Sequence, residues 1–184
     1  MHDFIYDIRF TFDFLDHPTQ TIYTKGCNLR CDFCCNSILV KKNITSRINF
    51  SYIKSITSNC PKHIVISGGE PCMHDDLPDF IGYLKNKNFL VGICTNGTYP
   101  YTLKACNPDY VILSIKSKFE GGFYTDNNVI KIKETINYVL PKQHKIVVIK
   151  NKCSEGLDQG YFNKINVNMT KVNYICDTKE GICE

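Results

Sequence analysis

The stretch GCNLRCDFC at residues 26–34 places three cysteines, Cys27, Cys31 and Cys34, in the spacing C-x3-C-x2-C. Thiolates at these offsets can wrap one corner of an iron–sulfur cubane, and cysteine coordination is the usual way to hold a [4Fe–4S] cluster. Three local ligands leave the fourth iron open to a small molecule. The motif therefore predicts chemistry at a cluster rather than electron transfer alone.

A structural zinc site is the main alternative, because zinc also binds closely spaced thiolates. Zinc prefers a closed set of four ligands, usually completed by a second C-x2-C pair or by two histidines. No second pair at that spacing occurs, the five histidines show no paired spacing, and Cys35 is poorly placed to share one tetrahedral metal with Cys34. The spacing favours iron–sulfur.

Length and composition indicate a single globular domain. The 184 residues are 43% hydrophobic, with a net charge of +4. We expect one domain over 1–184, with a core at about 20–150 and no clear assignment for 151–184. The lysines are scattered, which argues against a nucleic-acid-binding surface. No stretch approaches 18 consecutive apolar residues, so no membrane span is expected.

The eleven cysteines bear on the cellular compartment. In a secreted protein they would suggest disulfides with one thiol left over. Residues 1–4 lack the basic and apolar regions that begin a signal peptide. We therefore expect a cytoplasmic protein with metal-bound or free thiols.

The cysteines outside the motif fall into two groups. The first lies in or near apolar segments and is predicted to be buried: Cys60, Cys72, Cys94 and Cys106. The second group is Cys153, Cys176 and Cys183. These three are either isolated thiols or, together with Cys35, the ligands of a second metal site.

Strand and helix patterns alternate along the chain. Predicted strands cover 4–12, 21–24, 63–67, 89–95, 110–115, 145–150 and 172–175. Predicted helices cover 51–58, 77–84, 128–138 and 157–165. This order predicts βα units, a mainly parallel sheet and right-handed crossovers. Five or six units are too few for an eight-stranded barrel, so we expect an α/β fold: a partial, open (β/α) barrel with an extra N-terminal strand.

Four motifs follow the ends of predicted strands, where parallel α/β folds place their active sites. They are the cysteine loop, Ser67–Pro71, Thr95–Gly97 and Ser114–Lys116. We expect these motifs to meet at one edge of the sheet.

The cysteine loop and Gly68-Gly69-Glu70-Pro71 resemble motifs of the radical S-adenosylmethionine (SAM) superfamily. The resemblance implies that the open iron chelates the amino and carboxylate groups of SAM, and that the reduced cluster cleaves SAM to methionine and a 5′-deoxyadenosyl radical. It also implies that Gly68, Gly69 and Glu70 bind the SAM amino group. Glycines let a backbone approach a ligand closely, although a plain turn is the alternative.

Two further motifs extend this resemblance to cofactor binding. Thr95-Asn96-Gly97 is similar to a strand-end turn of the superfamily, with a plain Asn-Gly turn as the alternative. Ser114-Ile115-Lys116 aligns with an Asp-x-Lys segment of glycyl-radical activating enzymes, in which the lysine meets the SAM carboxylate. Lys116 matches, unless it is an ordinary surface lysine, whereas Ser114 lacks the aspartate's charge.

The N-terminal third resembles anaerobic ribonucleotide reductase activating proteins and related glycyl-radical activases. The matching segments are 14–18, 22–28 and 34–37, with Thr19 and Cys35 replacing a glycine and a histidine of the family pattern. The resemblance implies abstraction of a glycine Cα hydrogen from a large partner enzyme. It also implies an electron donor of the flavodoxin or ferredoxin type.

Three other functions remain open. A small-molecule radical SAM enzyme, such as 7-carboxy-7-deazaguanine synthase, would need polar groups around a heterocycle, and the sequence identifies none. A peptide-modifying radical SAM enzyme usually carries a recognition domain and a longer cysteine-rich C-terminus. A structural metal-binding module would not need the glycine-rich motifs at the other strand ends.

Overall fold

The computed structural model describes residues 3–11, 18–32, 34–41, 43–48, 61–116, 124–142, 146–149 and 170–172. Its strands are β1 (Ile5–Thr11), β2 (Thr19–Thr24), β3 (His63–Gly68), β4 (Leu90–Thr95), β5 (Tyr110–Ile115), β6 (Ile146–Ile149) and β7 (Thr170–Val172). Its helices are α1 (Leu77–Lys85), α2 (Pro100–Cys106) and α3 (Asp126–Val139), and short 3-10 turns occupy Ser37–Val40, Pro71–Met73 and Leu140–Lys142.

The strands form one sheet in the order β1 to β7, the order of the chain. β1 is antiparallel to β2, and every later pair is parallel. Among the described strands β1 pairs with β2 and β7 with β6, so the sheet does not close on itself. This confirms the α/β fold with a partial, open barrel and an extra N-terminal strand.

The main core lies between the sheet and the three helices. Helix α1 contributes four buried apolar side chains, Leu77, Phe80, Ile81 and Leu84. Leu103 of α2 and Ile136 of α3 pack in the same cluster. Opposite them are the alternate strand residues Ile66, Ile93 and Leu113. Strand β5 is buried along almost its whole length, as its apolar run from Tyr110 to Leu113 predicts for a strand covered on both faces.

Strand β1 departs from the strict alternation of its sequence. Its pairing with β2 shifts register between Ile5 and Asp7, so Ile5 and Ile8 both pack on the main core while Tyr6 joins a second cluster. A bulge of this kind changes which face later residues occupy. Phe10, two residues after Ile8, is 62% exposed.

Other elements differ at their limits. Helix α2 was not predicted, because a helix of seven residues shows few apolar repeats. Its available signal was Pro100 in the first turn. Helix α3 begins at Asp126, two residues early, where Thr125 accepts a hydrogen bond from the Asn128 N–H at 3.2 Å. The last strand, Thr170–Val172, overlaps the predicted strand 172–175 at Val172, and residues 173–175 lie outside the described residues.

Several predictions fall outside the described residues: the helices at 51–58 and 157–165, and Cys60, Cys153, Cys176 and Cys183. The single-domain organisation stays a prediction. Within the described ranges, no helix combines the length and apolar character needed to cross a bilayer.

Candidate active site

Backbone hydrogen bonds hold the start of the cysteine loop, which follows the end of β2. The Gly26 N–H donates to the Leu39 carbonyl at 2.6 Å, and the Cys27 N–H to the Val40 carbonyl at 3.2 Å. On the other side, the Glu70 N–H donates to the Gly26 carbonyl at 2.7 Å. The start of the loop is therefore clamped between the 3-10 turn that follows it and the end of β3.

The three predicted cluster ligands are half-buried cysteines. A turn joins two of them, since the Cys34 N–H donates to the Cys31 carbonyl at 3.1 Å. Burial raises the pKa of Cys27 and of Cys31 to about 11, and the positive charge of Lys116 opposes this rise. Within the described residues, no three His, Cys, Asp or Glu side chains converge on the position of a single ion.

Two glycines bring the end of β3 into contact with the cysteine loop. Gly68 has a φ of +106°, a conformation that favours glycine. A Cβ on Gly69 would lie 1.8 Å from the Gly26 carbonyl oxygen. Both positions therefore require glycine for reasons internal to the fold. The Gly69 N–H donates to the Thr24 carbonyl at 2.9 Å, and both glycines are half-buried.

The Glu70 carboxylate joins the ends of β3 and β4. It is 1% exposed. One oxygen accepts hydrogen bonds from the Cys72 N–H at 3.0 Å and from the Thr95 hydroxyl at 2.6 Å, and the other accepts from the Asn96 N–H at 2.7 Å. Burial raises the pKa of Glu70, and these donors oppose that rise. The carboxylate thus orders two strand-end turns.

We expect Glu70→Gln to lower the free energy of unfolding by about 2 kcal/mol, because the new amide would turn an N–H toward the buried N–H of Asn96. Urea unfolding of the cluster-free protein measures this loss. Glu134→Gln, which removes a surface pair with Lys104, is the matched control and should cost less than about 1 kcal/mol. Equal losses in the two variants would contradict the role given to Glu70.

Asn96 lies at the end of β4 with its side chain engaged by protein groups. Its Oδ1 accepts from the Thr98 N–H at 3.0 Å and from the Thr98 hydroxyl at 2.7 Å. Its Nδ2 donates to the Oδ1 of Asn28 in the cysteine loop at 2.9 Å. The turn after β4 is therefore bonded directly to the loop between the first two cysteines.

The end of β5 brings a hydroxyl and an ammonium group to the site. Ser114 is 2% exposed, and its Oγ has no hydrogen-bond partner among the described residues. The Lys116 N–H donates to the Tyr124 hydroxyl at 2.7 Å. The positive charge of Lys116 lowers the pKa of Cys27, Cys31 and Cys94, against the larger effect of burial.

The remaining described cysteines vary in position. Cys72 and Cys106 are buried, as predicted. Cys94, which was also predicted to be buried, is half-buried, and burial raises the pKa of its thiol to about 11. Cys35 is half-buried. The second metal site stays a prediction, because the other three cysteines proposed for it lie outside the described residues.

The structure brings the four predicted motifs together at the carboxyl ends of β2 to β5. This edge combines three thiols in one loop, half-buried glycine backbone and the ammonium group of Lys116. It also holds the buried Ser114 hydroxyl, which has no hydrogen-bond partner among the described residues. Such a donor set fits an iron–sulfur cluster with a small polar ligand beside it. Sequence reasoning missed Asn28, Thr98 and Tyr124; the available signals were the positions of Asn28 within the cysteine motif and of Thr98 two residues after Asn96.

A family model described as the Radical SAM superfamily matches residues 21–137. The 7-carboxy-7-deazaguanine synthase of Aquifex aeolicus is 29% identical over 140 residues, covering 73% of this chain and 62% of that protein. A candidate glycyl-radical enzyme activating enzyme of Methanocaldococcus jannaschii is 32% identical over 140 residues. The match covers 66% of this chain and 57% of that protein. The chain thus spans about three-fifths of the length of these relatives.

The fold also has solved counterparts. The structure of TYW1 with a lysine–pyruvate adduct bound superposes with a TM-score of 0.58 at 13% identity, covering 90% of this chain and 68% of that one. At this identity the likeness concerns the fold alone.

Proposed function

The chain belongs to the radical SAM superfamily, and from this premise we propose that it is an activase that installs a glycyl radical on a partner enzyme. An anaerobic ribonucleotide reductase is the first partner to consider. Enzymes of this family carry a [4Fe–4S] cluster, use SAM and need an electron donor. A flavodoxin or ferredoxin in the cytoplasm is the proposed donor.

We assign the cluster to Cys27, Cys31 and Cys34, which leaves one iron for SAM. The half-buried backbone of Gly68 and Gly69 receives the SAM amino group. Lys116 neutralises the carboxylate of SAM, since its ammonium already acts on the cysteine loop. Because its oxygens are held by Cys72, Thr95 and Asn96, Glu70 acts by holding the glycine turn in place.

When bound, the cluster and SAM supply a single chemistry: one electron from the donor cleaves SAM to methionine and 5′-deoxyadenosine, whose added hydrogen atom comes from the glycine Cα of the partner. The protein must present this glycine at the edge where the four motifs meet. It must also keep other hydrogen donors away from the reacting carbon.

The observation that carries the proposal is the position of the Tyr110 ring on the sheet below the strand ends. A Cβ on Gly92 would lie 2.0 Å from this ring, and its hydroxyl donates to the Ile64 carbonyl at 3.0 Å. The ring therefore takes up space in which a small metabolite could be held among the described residues. This favours a polypeptide loop, which needs only the edge of the sheet, over an enclosed metabolite.

The test combines reconstituted, reduced protein, SAM and the anaerobic ribonucleotide reductase of the same organism under anaerobic conditions. We expect the EPR doublet of a glycyl radical on the reductase and one 5′-deoxyadenosine per radical. A reductase with its radical-bearing glycine changed to alanine is the control and should give no doublet. Deuterium at the glycine Cα should appear in the 5′-deoxyadenosine.

The second candidate is a radical SAM enzyme acting on a small heterocycle, because the Aquifex synthase matches 73% of this chain. Turnover of SAM without a radical or deuterium transfer from the reductase would remove the activase proposal and favour this candidate. Failure to cleave SAM at all would contradict both.

A further inference from the structure

Three side chains form a closed ring of hydrogen bonds beside the cysteine loop. Asn28 Nδ2 donates to Thr98 Oγ1 at 2.9 Å, and the Thr98 hydroxyl donates to Asn96 Oδ1 at 2.7 Å. Asn96 Nδ2 then donates back to Asn28 Oδ1 at 2.9 Å. Each member donates once and accepts once within the ring, so the bonds reinforce one another.

The ring connects a buried turn to an exposed position in the cysteine loop. Asn96 and Thr98 are buried, and their turn is held by Glu70 through the Asn96 N–H and by the bond from the Thr98 N–H to Asn96 Oδ1. Asn28 is exposed and directly follows Cys27. Side-chain hydrogen bonds therefore attach the cysteine loop to the buried turn.

The ring also accounts for how Asn96 is used. Both lone pairs of its amide oxygen are taken by Thr98, and one of its two N–H groups is taken by Asn28. A side chain committed in this way works through its partners more readily than as a cofactor ligand.

We propose that the Asn28–Thr98–Asn96 ring is a positioning device that fixes Cys27 and Cys31 in the geometry that holds the cluster. Thr98 closes the ring although it lies 71 residues from Cys27 in the chain. Partners outside the ligand set commonly change metal affinity by about 10- to 100-fold when they are lost. This inference requires the cluster but no particular substrate, so it is independent of the activase proposal.

The test replaces Thr98 with valine, which keeps the shape and removes the hydroxyl, and with serine, which keeps the hydroxyl. Reconstituted proteins are mixed with the iron chelator bathophenanthroline disulfonate, and loss of the visible absorbance of the cluster is followed. We expect Thr98→Val to lose its cluster about tenfold faster than the unaltered protein, and Thr98→Ser to stay within about twofold. The EPR line shape of the reduced cluster should change in the valine variant alone.

Thr135→Val is the matched control for simple loss of a buried hydroxyl. The Thr135 hydroxyl donates to the Gly97 carbonyl at 2.8 Å, in the same turn but outside the ring. We expect this variant to lose stability while its rate of cluster loss stays within about twofold of the unaltered protein.

Two results would overturn the inference: cluster loss from Thr98→Val at the unaltered rate, or equal acceleration in Thr135→Val. Should Thr98→Val fail to fold, Asn28→Ala replaces it, since Asn28 is exposed and its loss leaves the core intact. An unaltered rate of cluster loss in Asn28→Ala would overturn the inference equally.

Discussion

Cys31→Ala should bind no stable [4Fe–4S] cluster and should not cleave SAM. Cys31 lies between the other two cysteines of the motif, and the Cys34 N–H donates to its carbonyl, which forms a turn between these two residues. Removing one of three thiolates leaves too few ligands to hold a cubane. Iron and sulfide per chain and 5′-deoxyadenosine by mass spectrometry measure both losses after anaerobic reconstitution.

Cys106→Ala provides the matched cysteine control. Its thiol is buried in the core at the end of α2, and burial raises its pKa to about 12. The variant should bind iron and cleave SAM normally, with a stability loss of about 1 kcal/mol from the vacated volume. SAM cleavage by Cys31→Ala at the normal rate would contradict the assignment of the ligands.

Gly69→Ala should lower the free energy of unfolding by about 3 kcal/mol and impair cluster assembly, because overpacking against backbone is poorly relieved. The added Cβ would lie 1.8 Å from the Gly26 carbonyl oxygen, which also accepts the bond from the Glu70 N–H. To make room, the cysteine loop must separate from the end of β3. Urea unfolding and iron per chain report the two effects.

Gly82→Ala is the control for a glycine-to-alanine change as such. Nothing lies within 4 Å of a Cβ on Gly82, which is exposed in the middle of α1. Alanine there should raise stability by about 0.5 to 1 kcal/mol, because it has the higher helix propensity. A Gly69→Ala variant as stable and as iron-rich as the unaltered protein would show that the loop yields without cost.

Most of the fold could be predicted because its signals are local. Apolar spacing identified α1, and a short apolar run identified β5, since each pattern is carried by neighbouring residues. The bulge in β1 could not be predicted, because it depends on pairing with β2. Helix α2 was missed because its seven residues contain too few repeats of the helical period.

The candidate site divides in the same way. Cysteine spacing indicated the cluster loop, and the position of each motif after a strand predicted that all four would meet. The resemblance suggested that Glu70 binds the SAM amino group. The structure adds that Cys72, Thr95 and Asn96 donate hydrogen bonds to its carboxylate, which the sequence did not indicate.

The amino-acid order alone therefore determined the ligand spacing, the strand-and-helix pattern and the family, because these are encoded within short segments. Tertiary structure decided which groups touch: Glu70 and Asn96 are 26 residues apart, and Asn28 and Thr98 are 70 apart. Their contacts require parallel strands in a defined register, with the loops after β2, β3 and β4 at one edge. That register follows from packing the whole core, which no single segment specifies.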